Sequence, residues 1–219
     1  MQSVILAAGI SSRFWPLNYQ CKSLFKIMGK PLIYYTIEGL RRAGIKDIII
    51  VQGPQRDIER ELNDAAVKYV IQPELKGMGD AVMRVEDLIS GPFFVINGHK
   101  VDAGDYVKEM TNRQKEVVIL GSKTNQAWLY GILEIEDDKV KRLIEKPVKG
   151  QEPSNIKITG VYLLPPSFFE YHKKVSEGHY SFEDTLNLYM EESKAGVKVV
   201  EEDFSSLKYP WQLFSIVKY

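Results

Sequence analysis

Residues 3–13 read SVILAAGISSR, and this stretch decides the fold. Its apolar beginning, with β-branched Val4 and Ile5, predicts a short buried strand, which a loop of Gly and Ser follows. In α/β proteins, ligands bind at the carboxyl ends of the strands, where the backbone N–H groups of such a loop approach an anion closely. The planar guanidinium of Arg13 is suited to clamp a phosphate. Taken alone, the stretch is equally compatible with a plain turn that carries a surface arginine.

Strands and helices alternate over the first half of the chain. Buried strands are predicted at 47–51, 67–71 and 92–96, with helices that begin at Pro31 and extend over 57–66 and 79–88. From about Val117, strand-like segments follow one another at 117–121, 130–136, 140–145 and 158–164, and the chain ends with helices at 166–175, 182–192 and 211–217 around a strand at 197–201. The alternation predicts right-handed crossovers. We expect one α/β domain, a three-layer sandwich with a Rossmann-like, mixed, mainly parallel sheet.

The bulk composition bears on which binding partners and which cellular compartment are expected. The chain has 219 residues, with 29 Lys+Arg and 29 Asp+Glu, so its formal net charge is zero and gives no reason to expect a nucleic acid or a membrane as a partner. The single cysteine, Cys21, cannot form an intrachain disulfide, which favours a reducing compartment. The N-terminus has no signal-peptide pattern and no apolar run approaches the length of a membrane span. We expect a cytoplasmic protein, with a homo-oligomer possible.

An ordered set of short motifs extends along most of the chain. LAAG at 6–9, Arg13, PL at 16–17, Lys22 and GKPLI at 29–33 come first, and QP at 72–73, GMGDA at 77–81, FVING at 94–98, YG at 130–131, EKP at 145–147, SN at 154–155 and TGVY at 159–162 follow. As a set these motifs resemble the sugar-1-phosphate nucleotidyltransferases, namely the glucose-1-phosphate thymidylyl- and uridylyltransferases. The resemblance implies the nucleotide-diphospho-sugar transferase type of fold, with residues 1–115 as the nucleotide-binding half and 116–219 as the sugar-binding half.

The resemblance also implies a reaction. In this family a sugar 1-phosphate oxygen attacks the α-phosphorus of a nucleoside triphosphate, and pyrophosphate leaves. Because two anions must meet, the site needs cations and hydrogen-bond donors around the α-phosphate. The catalytic residues implied are Arg13, Lys22 and Lys146, with Lys22 on the α-phosphate and Lys146 on the sugar phosphate. The nucleotide-binding residues implied are Leu6, Ala8, Gly9, Ser11, Ser12, Gln72 and Gly77, and the sugar-binding residues are Tyr130, Gly131, Glu145 and Gly160.

The sequence departs from the family at the metal site. The resemblance implies a divalent metal, Mg²⁺, held by two aspartates, but His99 and Ser206 occupy those positions here. Mg²⁺ prefers carboxylate and water oxygens, whereas imidazole suits Zn, Ni or Cu. Three explanations stay open: Asp80 or Asp102 supplies a replacement carboxylate, His99 ligates a different metal, or the site no longer performs the transfer. A histidine that merely ends its strand is a further interpretation of His99.

Two functions follow from these motifs. The first is a nucleotidyltransferase that couples a sugar 1-phosphate, or a similar phosphorylated alcohol, to a nucleoside triphosphate with release of pyrophosphate. The second is a catalytically impaired homologue that binds a nucleotide or nucleotide-sugar and acts in regulation. The retained Lys22, Gln72, Glu145 and Lys146 favour the first function, and His99 with Ser206 favours the second.

Overall fold

The computed structural model describes residues 1–9, 14–112, 117–137, 139–201, 207 and 209–218. Within these ranges, the strands are β1 (Gln2–Leu6), β2 (Lys26–Ile27), β3 (Lys30–Pro31), β4 (Asp47–Gln52), β5 (Val67–Ile71), β6 (Phe93–Asn97), β7 (Val117–Lys123), β8 (Gly131–Glu136), β9 (Lys139–Glu145), β10 (Ile156–Leu164) and β11 (Ala195–Val200). The α-helices are α1 (Leu32–Arg42), α2 (Asp57–Leu62), α3 (Met78–Met83), α4 (Ala103–Thr111), α5 (Phe168–His172), α6 (Ser181–Glu192) and α7 (Leu213–Lys218).

Nine of the described strands form a single mixed sheet in the order β5-β4-β1-β6-β10-β7-β11-β9-β8. Strands β5, β4, β1 and β6 are parallel to one another, as are β7 and β11, while β10 and β9 run in the opposite direction. The short strands β2 and β3 pair separately. The expected mixed, mainly parallel sheet is therefore confirmed, and it runs through both halves of the chain.

Strand β10 connects the strands of the first half of the chain with those of the second half, because it pairs with β6, β7 and β8. Its residues Val161 to Leu164 pair with β6, whereas its beginning extends past the end of β6 and pairs with β7 and, at Lys157, with Ile132 of β8. The register of β10 against β7 shifts between Ile158 and Tyr162. Strands β8 and β9 form a hairpin in which Gly131 pairs with Glu145. Glu145 lines the same cavity as Leu6 and Asn97, so this end of the hairpin lies near the carboxyl ends of β1 and β6.

The apolar core lies on both faces of the sheet. One cluster fills the side covered by α3, α5 and α6, with Phe93, Tyr162 and Phe182 among its buried residues, and a second fills the side covered by α1 and α4. Burial of each such side chain contributes about 1.5–3 kcal/mol. Helices α1 and α4 approach closely because Gly39 faces Gly104, where a Cβ on Gly104 would overlap the backbone of Gly39.

Most predicted elements are present, with shifted boundaries. The helix expected over 57–66 ends at Leu62, and the helix expected over 79–88 is α3 followed by a separate 3₁₀ turn at Glu86–Leu88. Gly44 follows α1 with φ +93°, as a helix-ending glycine does. Helix α4 was not predicted. None of the described helices has the length and apolar character that crossing a membrane requires.

Candidate active site

A cavity of about 540 Å³ opens at the carboxyl ends of β1 and β6. Its wall comes from six parts of the chain: the loop after β1, the 3₁₀ turn at Lys22–Leu24, the segment before α3, the end of β6, the end of β9 and the beginning of α6. The lining residues with polar or charged side chains are Cys21, Lys22, Ser23, Gln72, Asn97, His99, Glu145, Lys146, His179, Tyr180 and Glu183. The fold therefore brings together residues that lie more than 120 positions apart.

The nucleotide-binding loop predicted from the sequence is described in part. Leu6, Ala8 and Gly9 line the cavity. A Cβ on Gly9 would meet no other described atom within 4 Å, so the backbone here is open to an approaching group. Ser11, Ser12 and Arg13 lie outside the described residues.

Lys22 projects into this cavity from the 3₁₀ turn. Its Nζ donates a hydrogen bond of 2.9 Å to the carbonyl oxygen of Leu207, which fixes the side chain against the C-terminal segment. An ammonium group has three donors. A lysine held in this way is able to present positive charge to an anion. Lys26 differs, because its Nζ forms an exposed ion pair with Glu61 at 2.8 Å.

Gln72 is buried at the cavity wall, and the protein itself fixes its amide. Nε2 donates to the carbonyl oxygen of Gly77 at 3.0 Å and to Oδ2 of Asp80 at 2.8 Å. Because both acceptors require the amino group, Oε1 is the atom left to accept a hydrogen bond from a base. Gly77 has φ +104°, and a Cβ there would lie 2.9 Å from the carbonyl oxygen of His179, so this turn requires glycine.

His99 follows the end of β6 and is half-buried. Burial lowers the pKa of His99 well below its ordinary value of 6.5, and the positive charges of Lys22 and Lys100 lower it further. The imidazole is therefore neutral at physiological pH. Asn97, the last residue of β6, lines the same part of the cavity.

The two carboxylates suggested as replacement metal ligands both have partners within the protein, which does not favour either suggestion. Asp80 accepts hydrogen bonds from Gln72 and from Arg84, whose Nη2 lies 2.6 Å from Oδ1. Asp102 is fully buried and pairs with Lys100, with Nζ 3.0 Å from Oδ1. Neither aspartate lines the cavity. Asp102 is therefore a buried carboxylate that already has its own counter-charge.

The described residues at the end of β6 do not fit a resident Mg²⁺ ion. Mg²⁺ needs oxygen ligands of negative charge, whereas this wall presents an amide, an imidazole and Lys22. Among the described residues, no group of three His, Cys, Asp or Glu side chains is arranged to hold a metal. Ser206, the second altered position, lies outside the described residues.

Glu145 and Lys146 form the opposite wall, where β9 ends. Lys146 Nζ lies 3.4 Å from Glu145 Oε1 and 3.4 Å from the hydroxyl of Tyr180. Interaction with Tyr180 and Glu145 raises the pKa of Lys146, although desolvation opposes this shift. The pair therefore places a cation and an anion side by side at one end of the cavity.

The other three predicted sugar-binding residues do not line the cavity. Tyr130 packs against Lys157, whose Nζ lies 4.6 Å from the ring centroid. Gly131 lies behind Glu145, and a Cβ on Gly131 would come within 2.8 Å of Oε2. Gly160, with φ +81°, lies against Asn97, so that a Cβ there would overlap the Asn97 amide. Both glycines shape the wall by leaving room for the side chains that line it.

Glu183 lines the cavity and was given no role in the sequence-based prediction. It lies in the first turn of α6, and burial raises its pKa from 4.5 to about 7. Oε2 is shielded from solvent and has no hydrogen-bond partner among the described residues. The sequence signal was weak, because Glu183-Asp184 resembles any acidic first turn of a helix.

Comparison with known proteins relates this fold to a family. The model of the nucleotidyl transferase family matches residues 2–212. The UTP–glucose-1-phosphate uridylyltransferase of Staphylococcus haemolyticus is 30% identical, over 95% of this chain and 86% of that protein. A Bacillus anthracis structure in complex with sucrose has a TM-score of 0.86 at 24% identity, over 100% and 94% of the two chains. A UDP-glucose pyrophosphorylase in complex with UDP-glucose has a TM-score of 0.74 at 22% identity, with 90% of each chain covered.

Proposed function

The chain belongs to the nucleotidyl transferase family, and from this membership we propose that it couples a sugar 1-phosphate to a nucleoside triphosphate with release of pyrophosphate. The observation that carries the proposal is the single cavity in which Lys22, Gln72, Gly77, Glu145 and Lys146 meet. The first three lie within the first 77 residues, and the last two are the final residue of β9 and the residue after it. A site for two substrates needs binding groups on opposite walls of one cavity, and these residues supply them.

The reaction forms one P–O bond and breaks another. A phosphate oxygen of the sugar 1-phosphate attacks the α-phosphorus, and the bond from that phosphorus to the oxygen of the leaving pyrophosphate breaks. Catalysis depends on neutralising charge on the phosphoryl oxygens rather than on a base. Lys22 is proposed to bind the α-phosphate, and Lys146 the phosphate of the acceptor. The acceptor itself is a sugar 1-phosphate or a similar phosphorylated alcohol.

The two halves of the cavity are proposed to bind different substrates. The loop after β1, with Arg13, Ser11 and Ser12, is proposed to hold the polyphosphate, and Gln72 with Gly77 the base. Residues 1–115 form this nucleotide half, and 116–219 form the half that binds the acceptor. The neutral His99 is suited to donate a hydrogen bond to a phosphate oxygen, and no step here depends on a metal bound to it.

A pyrophosphate-release assay tests the proposal. The five common nucleoside triphosphates are paired in turn with several sugar 1-phosphates, each with Mg²⁺, Mn²⁺, Co²⁺ and Zn²⁺. We expect turnover with at least one pair. Calorimetry on the same nucleotides gives binding independently of turnover. Measurable binding of a nucleotide without turnover of any pair would refute the proposal and favour the regulatory homologue.

Lys146→Ala tests the acceptor site separately from the nucleotide site. We expect a higher KM for the acceptor and little change in the KM for the triphosphate. Lys141→Ala is the matched control, because Lys141 lies on the same hairpin and forms an exposed ion pair with Glu136 at 2.9 Å.

A further inference from the structure

Glu183 is a carboxylate with an unmet hydrogen-bonding capacity inside the candidate site. It accepts a hydrogen bond from its own backbone N–H in the first turn of α6, while Oε2 is without a partner among the described residues. Buried polar atoms are nearly always hydrogen-bonded, so an exception at a cavity wall marks a carboxylate that is able to accept a hydrogen bond from an entering group. Rotation about χ3, a soft torsion, exchanges the two oxygens and lets either one meet that partner.

The position of Glu183 is fixed by the packing of α6 on β9. The Asn187 side chain bonds both backbone groups of Leu143, with N–H to Oδ1 at 2.7 Å and Nδ2 to the carbonyl oxygen at 3.0 Å. Glu183 lies four residues before Asn187, on the same face of α6, and Glu145 lies two residues after Leu143 on β9. The two carboxylates therefore face the same end of the cavity, and each raises the energy of the other's charge.

Among the described residues at this end of the cavity, Lys146 faces two carboxylates, those of Glu145 and Glu183. Lys146 compensates Glu145 at 3.4 Å. Once Lys146 binds the phosphate of an acceptor, Glu145 and Glu183 remain side by side without a positive charge of their own. Above about pH 7, where Glu183 is ionised, a counter-charge stabilises two carboxylates in such an arrangement. An acceptor that carries a cation supplies it, whereas an acceptor with hydroxyl groups alone does not.

We propose that Glu183 determines acceptor specificity, and that together with Glu145 it selects a phosphorylated acceptor that carries a protonated amine. The inference rests on the proposed function, since it concerns the acceptor end of the same site. The amine donates to the carboxylate of Glu183, and the phosphate binds Lys146. The class of substrate is thus an amino sugar phosphate or an amino alcohol phosphate.

The titration of Glu183 gives the proposal a pH signature. The groups that face its carboxylate are Glu145, Lys146 after β9, Asp184 on α6 and the buried Tyr162 on β10, whose pKa is raised well above 10 by burial and by both glutamates. Since Glu183 ionises at about pH 7 in the free protein, the preference for an amine is expected to be stronger at pH 8 than at pH 6.

The test compares matched acceptors. Glucose 1-phosphate, its 2-, 4- and 6-amino analogues, N-acetylglucosamine 1-phosphate and phosphoethanolamine are assayed by kcat/KM at pH 8 and by calorimetry. For at least one amine, we expect a preference over the hydroxyl or N-acetyl counterpart of roughly 10- to 100-fold, the range of a charge-assisted hydrogen bond. Glu183→Gln should abolish that preference, while the exposed Asp184→Asn, one residue along the same helix, should keep it within about two-fold.

Each outcome decides the question. If every amine is bound and turned over no better than its neutral counterpart, or if Glu183→Gln keeps the preference, the inference is overturned. If no acceptor is turned over, the proposed function fails, and the binding data alone decide the selectivity of the pocket. Thermal unfolding of each variant shows whether it is folded.

Discussion

Replacing Glu183 with glutamine is expected to stabilise the folded chain, and to do so only above acidic pH. Glutamine has nearly the same shape and can donate as well as accept a hydrogen bond, but it carries no charge to bury. The wild-type carboxyl sits in the first turn of α6, facing Glu145, with Oε2 shielded from solvent. Its charged form is therefore disfavoured in the folded state and not in the unfolded state.

The magnitude follows from the two pKa values. Burial, with repulsion from Glu145 and Asp184, raises the pKa of Glu183 from 4.5 to about 7, while its own backbone N–H and Lys146 limit the rise. Between these values the unfolded chain has released the proton and the folded chain has kept it, so stability falls as the pH rises. At about 1.4 kcal/mol per pH unit, the full penalty above pH 7 is roughly 3 kcal/mol.

The assay is urea unfolding followed by circular dichroism at pH 4.5, 6 and 8. The difference in unfolding free energy between Glu183→Gln and the wild type should grow from near zero at pH 4.5 to roughly 3 kcal/mol at pH 8, which corresponds to about 6–10 °C in Tm for a chain of this size. Asp184→Asn serves as the matched control, because Asp184 is exposed and its replacement should change stability by about 0.5 kcal/mol or less.

The test depends on how the difference in unfolding free energy changes with pH, more than on its size at any one pH. A difference in unfolding free energy that is the same at all three pH values would mean that Glu183 ionises alike in the folded and unfolded states. The carboxyl would then be neither desolvated nor opposed by Glu145, and the argument for a missing counter-charge at this wall would fail with it.

Three further changes test other parts of the site. Lys22→Ala should lower kcat/KM by about 100-fold or more, since Lys22 is proposed to neutralise charge on the α-phosphate, whereas Lys26→Ala should leave kcat/KM near the wild-type value. Equal effects of the two substitutions in a pyrophosphate-release assay would contradict the proposed role of Lys22. Gly160→Ala should lower the unfolding free energy by about 2–4 kcal/mol, because its Cβ overlaps the Asn97 amide, and more than Gly150→Ala, which has φ +89° and open space among the described atoms; similar losses in urea unfolding would refute the packing argument. His99→Asp should raise the affinity for Mn²⁺ in electron paramagnetic resonance titrations, and an unchanged affinity would show that the carboxylate alone does not create a metal site.

The fold was predictable because buried strands and glycine turns leave local signals. The run of Ile and Val in β4 and the apolar residues of β6 mark strands at any position in a chain. Helix α4 was missed although Ala103, Val107 and Met110 are spaced as a buried helical face. Its Gly104 weakens the helix signal, and only the approach of Gly39 from α1 explains why glycine is present there.

The sequence predicted four of the residues that meet at one cavity, and their roles stay predictions. Lys22, Gln72, Glu145 and Lys146 all line the cavity that the family motifs imply. The pairing of side chains was not predictable, since nothing local shows that Asp102 is neutralised by Lys100 or that Asp80 holds the Gln72 amide. Glu183 on α6 was missed for the same reason, because its environment is made by Glu145 on β9 and Tyr162 on β10.

The register of β10 against β7 shifts near Gly160, where β10 stops pairing with β6 and continues beside β7 and β8. Past Val161, which pairs with β6, the chain toward the strand's beginning leaves β6 and supports the β8–β9 hairpin at Lys157. Gly160 takes φ +81° at this point, a conformation that favours glycine, and its missing side chain is the space that Asn97 fills. Gly160 thus lies where β10 leaves β6 and against Asn97, the last residue of β6, which lines the cavity. A side chain at position 160 would disturb both walls together, which is why we expect the acceptor and nucleotide sites to lose affinity together in Gly160→Ala.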